Sequence, residues 1–277
     1  MSGTGFRSAT LAEIRLMLDW AAAEGWNPGL DDADAFHAAD PAGFFVATRG
    51  ADPVAAISVV NHSPGLAFLG LYICRPEMRG QGVGLGLWRH ALAHAQGRVV
   101  GLDGVPAQQA NYARSGFVRF GETRRMQGRV AAVARTAPVA GPGDFEALAR
   151  LDRAANGHDR RAFLRAWTAP GATRKTVLLR DRAGVAGFAT ARICRQGGKI
   201  GPVVAPDPAA AVALVEQAAA AIGRTGVSVD VPQAAGAFAD LLRGAGFVET
   251  FTTARMYRGT PPMAGPGLQA IATMELG

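Results

Sequence analysis

Cysteine is nearly absent from this chain. Cys74 and Cys194 are the only two in 277 residues, which excludes a disulfide framework. Both lie in apolar, strand-like runs, the setting of reduced thiols inside a cytoplasmic protein. Lysine is as scarce: only Lys175 and Lys199 occur, so the net charge of +7 is carried by arginine. The densest basic clusters, Arg124-Arg125 and Arg160-Arg161, are short and lack interleaved aromatics, so no nucleic-acid partner is expected. No apolar run reaches the ~18 residues of a transmembrane helix, and no membrane association is expected. Residues 1–15 lack a basic start followed by an apolar stretch, so no secretory leader is expected. His90 and His94 are four residues apart but have neither the adjoining Glu nor a third ligand that a zinc site needs, so no metal is expected.

The most informative stretch is LYICRPEMRGQGVGLGLW, residues 71–88. A β-branched and aromatic run turns at Arg75-Pro76, passes through Arg79-Gly80-Gln81-Gly82-Val83-Gly84 and enters a helical pattern at Leu85. Strand, glycine loop and helix form a phosphate cradle: free N–H groups and the helix dipole point at the anion. Glycine lets the backbone approach closely. Two better-known cradles are excluded. The P-loop's closing Gly-Lys-Ser/Thr is missing, and Arg79 stands where the Rossmann fingerprint wants its first glycine.

What remains resembles the acyl-CoA pyrophosphate loop of the GNAT superfamily of N-acetyltransferases. Order along the chain agrees with that resemblance: a strand from Phe6, two helices, a three-strand meander, then strand, helix and strand to Val130. The resemblance implies that Arg79, Gly80, Gln81, Gly82, Val83 and Gly84 hold the pyrophosphate. It also implies that the backbone of Ile73 and Cys74 pairs with the pantetheine like an added strand. Tyr112-Ala113-Arg114-Ser115-Gly116-Phe117 matches the family's second motif, which makes Tyr112 the acid that protonates the leaving thiolate. Val105 stands where many relatives carry Asn, a departure at part of the pantetheine contact. For the base, Asp103 at the end of the fifth strand is the first choice, with His62 and Glu77 behind it and a water chain as a further possibility. Trp26, Asn27, Asp31 and His62 are expected to contact the acceptor.

The second half repeats the first. GFVRFGETRRM begins at Gly116 and GFVETFTTARM at Gly246. The expected architecture is therefore α/β: two tandem GNAT folds, each a mixed, mostly antiparallel twisted sheet flanked by helices, forming a pseudo-dimer. The expected boundary divides a CoA-binding domain, 1–130, from a degenerate domain with a tail, 131–277. At constant offset the glycine loop falls on Ala209–Leu214, Asp207 would occupy the helix-entrance donors, and Tyr112 becomes Leu242. The tail, from Gly259, is apolar enough to pack back on the body. The implied activity is N-acylation by acyl-CoA, acetyl-CoA first, of a small-molecule or protein amine. The molecule is expected as a monomeric pseudo-dimer or a homodimer. Alternatives are a CoA-binding sensor without turnover, or a tandem enzyme like mycothiol synthase, whose second copy carries the catalysis.

Overall fold

The computed structural model describes residues 4–277. The front half runs β1 (Thr4–Ser8), α1 (Leu11–Ala23), α2 (Asp32–Ala39), β2 (Phe44–Arg49), β3 (Asp52–Asn61), β4 (Leu66–Cys74), α3 (Val83–Leu92), β5 (Val99–Gly104), α4 (Gln109–Arg114) and β6 (Val118–Arg129). The rear half runs α5 (Phe145–Asn156), α6 (Arg161–Thr168), β7 (Arg174–Asp181), β8 (Gly184–Ile193), β9 (Gly198–Val204), α7 (Pro208–Ala221), β10 (Gly226–Pro232), α8 (Gly236–Gly244), β11 (Val248–Arg258) and β12 (Leu268–Ala270). Local chemistry accounts for several boundaries. Thr10 and Glu13 form a reciprocal capping box at the start of α1. β2 and β3 are apolar along most of their length because helices cover both faces. α1 and α2 pack on one face through Ile14, Met17 and Phe36, and α3 packs on the other through Leu87 and Ala91.

All strands join one twelve-stranded sheet, with β12 added beside β9. Its order is β1-β2-β3-β4-β5-β11-β6-β10-β9-β8-β7. The halves exchange their last strands: β11 completes the front sheet beside β5, and β6 completes the rear sheet beside β10. β6 and β11 pair with each other at the centre. Val118 faces Tyr257 and Val248 faces Gln127, the same register read in both directions. A cut after residue 130 would sever both sheets.

The exchange is held by buried ion pairs between the halves. Arg255 grips Asp103 with two hydrogen bonds of 3.0 and 2.7 Å, and Arg125 grips Asp230 at 2.7 and 2.9 Å. A third cluster joins Asp32, at the start of α2, to Arg174 and Arg192 of β7 and β8, whose guanidinium groups lie over the Trp167 ring. Burial alone pushes the Asp32 carboxyl upward, but Arg192 and Arg174 hold it below its usual value.

Two V-shaped openings interrupt the sheet. β4 and β5 pair in parallel from Leu66 opposite Val99 to Leu69 opposite Leu102, and no further. A bulge at Leu71-Tyr72, with Leu71 at φ +48°, turns the rest of β4 away. In the rear half β9 and β10 likewise part after Ile200 and Val229. That opening is filled. β12 pairs antiparallel with Val203 and Val204, and Ile271 N–H donates to the Asp230 carbonyl on the other side. The chain then runs on through Met274 and Glu275 to lie against β4 of the front half. Its backbone passes so close that a Cβ on Gly70 would stand 2.0 Å from the Glu275 carbonyl oxygen.

Candidate functional site

The front opening leads from a cleft of about 540 Å³ into a cavity of about 70 Å³. Trp26, Tyr72, Val105 and Gln108 line both, so the two spaces meet at the splay. The outer cleft is bordered by the β4 edge at Ile73 and Cys74 and by Arg79, Gly80, Gly82 and Gly84. Gly80 and Gly82 have φ of +75° and +78°, and a Cβ on either would meet no atom within 4 Å. Positive φ and open space together leave a loop whose backbone a ligand can approach closely. Gly82 caps α3 without any side-chain hydrogen bond, and no acidic residue stands in the first turn. The amides there stay available, and the dipole favours an anion by about 0.3–1 kcal/mol at a surface site. Gly84 serves a different end: its missing Cβ makes room for the Tyr72 hydroxyl.

Two of the expected loop residues do not line the cleft. Val83 is buried in the core of the front half. Gln81 donates to the Glu77 carbonyl and accepts from Arg49, which braces the loop from behind. Arg79 donates to the Cys74 carbonyl at 2.9 Å and pairs with Glu24 at 3.0 Å.

The rear half has lost this cradle in two ways. The eight residues between β4 and α3 (75–82) are matched by only three between β9 and α7 (205–207). The loop is thus shortened, not merely substituted by Ala209–Leu214. Asp207 accepts from Ala210 N–H at 2.8 Å, so a carboxylate occupies the helix entrance. β12 fills the opening beside it.

In the inner cavity Tyr112 stacks on Trp88, with ring centroids 5.4 Å apart and planes 15° apart. Burial, with a smaller contribution from Tyr72, pushes its phenol well above the usual value, so it remains a proton donor. Asp103 also lines the cavity. Its carboxylate accepts from Thr123 and Thr253 hydroxyls at 3.0 and 3.2 Å as well as from Arg255.

Of the expected acceptor contacts, Trp26 lines the cavity. The structure does not bring the other three there. Asn27 is tied to the backbone of Gln196, a contact between the halves. Asp31 faces Arg174 at 3.3 Å and borders a separate surface pocket with Asp19 and Arg195. His62 lines another cavity, of about 370 Å³, with Phe68, Phe120 and His158. Its Nε2 donates to the Leu276 carbonyl at 2.7 Å. Glu77 borders neither the donor cleft nor the inner cavity. Sequence reasoning missed the rear half's share: Phe251, Thr253, Met274 and Glu275 all line the inner cavity, together with Arg125 of β6. Only the apolar tail hinted at it.

Among the described residues no group of three or more His, Cys, Asp or Glu side chains is placed to hold a metal ion. His94 pairs with Asp40 at 2.8 Å, and among the described residues no helix is long and apolar enough to cross a membrane.

Comparison with known proteins agrees with this geometry. Residues 11–117 match the profile of the acetyltransferase (GNAT) family, and residues 148–269 that of an acetyltransferase (GNAT) domain. The chain is 35% identical over 277 residues to the holothin acyltransferase of Pseudoalteromonas sp. (strain SANK 73390), covering 98% of this chain and 94% of that protein. In fold it is similar to a Pyrococcus horikoshii protein classed as an acetyltransferase, with TM-score 0.82, 19% identity and 100% and 97% of the two chains covered. It is also similar to a tandem GNAT protein from the clavulanic acid biosynthesis pathway, with TM-score 0.60, 16% identity and 93% and 99% covered.

Proposed function

The chain belongs to the GNAT family of acetyltransferases, and on that basis we propose that its front half transfers a short acyl group, acetyl first, from acyl-CoA to the amine of a small molecule. The observation that carries the reading is the uncapped entrance of α3 at Gly82, opening through one continuous space onto Tyr112. The loop amides take the pyrophosphate. The β4 edge after the bulge offers its free backbone groups to the pantetheine amides.

The thioester then lies at the splay, in a cavity with room for a small acyl group. The amine lone pair attacks the carbonyl carbon, and negative charge gathers on the carbonyl oxygen. In this reading that charge is taken up by backbone N–H groups at the β4 bulge. The C–S bond breaks and the thiolate takes the Tyr112 proton. A buried phenol suits this step because it resists ionising before the thiolate appears.

The narrow cavity favours a small acceptor over a side chain on a folded protein. The relative named for holothin, 35% identical along almost the whole chain, points the same way. The rear half takes no donor in this reading. It supplies β11 and the tail that close the front site.

The test is a panel of small amines with acetyl-CoA, read by free-thiol release. Turnover with at least one amine is expected. Tyr112→Phe should lower kcat about 100-fold or more while CoA affinity stays within about twofold, the range typical of general acid catalysis. A protein that binds CoA tightly and turns over no amine would be a sensor instead.

A further inference from the structure

An amine that attacks a thioester must lose a proton, and two carboxylates border the front cavity, Asp103 and Glu275. Asp103 is poorly placed to take it. Both its oxygens are engaged, by Thr123, Thr253 and a two-point contact from Arg255, and its side chain is fully buried. Protonating it would strand a buried guanidinium, a loss of several kcal/mol in general.

Glu275 differs. Its Oε2 accepts the Thr273 hydroxyl, and its Oε1 has no partner among the described residues. It stands in the cavity wall with Tyr72 of β4 and Tyr112 of α4, the expected acid. The surrounding frame fixes it there. β12 anchors the segment in the rear opening, the Leu276 carbonyl accepts from His62, and side-chain-free Gly70 lets the Glu275 backbone lie on β4.

We propose that Glu275 is the general base of the front site, delivered by the rear half. This rests on the acyl-transfer reading. As the nitrogen forms its bond to the carbonyl carbon, its N–H proton passes to Oε1 of Glu275. When the C–S bond breaks, the thiolate takes the proton of Tyr112, and the proton on Glu275 returns through water to the phenolate. The products are amide and free CoA, with no net proton left on the enzyme. The charged groups around Glu275 are Arg125 of β6 and Lys199 of β9, whose charged forms it favours, with Asp103 of β5 and Asp230 of β10 each neutralised by its arginine. The rear opening, closed to a donor, thereby acts as the socket for a catalytic strap.

The test uses the full chain with the best amine of the panel. Glu275→Gln keeps an oxygen for Thr273 and should lower kcat at least 100-fold with CoA affinity unchanged. The rising limb of kcat against pH should flatten in Glu275→Gln and persist in Glu275→Asp. Formate should restore part of the turnover of Glu275→Ala, which a structural role would not allow. A Glu275→Gln enzyme within threefold of wild type, or a Glu275→Ala enzyme that formate does not rescue, overturns the assignment and leaves acyl transfer standing. Failure of the wild-type protein to release thiol with any amine would instead sink the acyl-transfer reading.

Discussion

Gly70→Ala probes the tail without altering any group proposed to act in the reaction. A Cβ at position 70 would stand 2.0 Å from the Glu275 carbonyl oxygen, 2.9 Å from its carbonyl carbon and 3.0 Å from its Cα. An ordinary contact is about 3.5 Å, so the segment must move by about 1.5 Å. The obstacle is backbone on both sides, so no rotamer change relieves it. Overpacking of this kind costs about 1–3 kcal/mol. At about 2–4 °C per kcal/mol in a chain approaching this size, Tm should fall by roughly 2–12 °C. The effect on rate should be larger in proportion. Misplacing a reacting group by about 1 Å costs about 100-fold, so kcat should fall by that order. The donor cleft lies outside the clash, and CoA affinity should stay within twofold. Differential scanning fluorimetry, calorimetry with CoA and thiol-release kinetics read the three quantities separately. Wild-type kcat in a folded Gly70→Ala protein would refute the claim that the tail builds the front site. Equal losses of kcat and CoA affinity would mean that the tail supports the donor cleft instead.

Two predictions concern stability. Asp32→Ala leaves the buried Arg192 without a carboxylate and Arg174 with Asp31 alone, which should cost about 3–5 kcal/mol by chemical denaturation; a loss under 1 kcal/mol would show that the cluster does not hold the halves together. His62 should make the protein acid-sensitive. Burial, then the charges of Arg160 and His158, hold its imidazole down to about 3 in the folded chain, against 6.5 for a free one. The unfolded chain therefore binds a proton that the folded chain refuses, and stability should fall as pH drops from about 6.5 toward 3. His62→Gln should flatten part of that decline; a Tm-against-pH curve identical to wild type would contradict it.

Features written in a few neighbouring residues were legible in the sequence. The glycine loop and the Asp207 cap each need only a few neighbouring positions, and both appear in the structure. The strand exchange could not be read. β6 and β11 derive from nearly the same motif, so either could complete either sheet, and local pattern does not choose. Long-range pairing also hid what Asp103 does, because its partner Arg255 lies 152 residues away. Asn27 looked like an acceptor contact because its loop follows α1, yet Gln196, 169 residues on, takes it up. Glu275 sits in an unremarkable tail whose place is set by the rear opening, and no spacing rule connects it to Tyr112.

The most direct test of the division between the halves is a calorimetric titration with CoA. One equivalent should bind per chain. Gly82→Asp should abolish binding: Asp tolerates the left-handed backbone there better than most residues, so the fold survives while its carboxylate repels the pyrophosphate. Two equivalents in the wild-type protein, or unchanged affinity in a folded Gly82→Asp variant, would contradict the account.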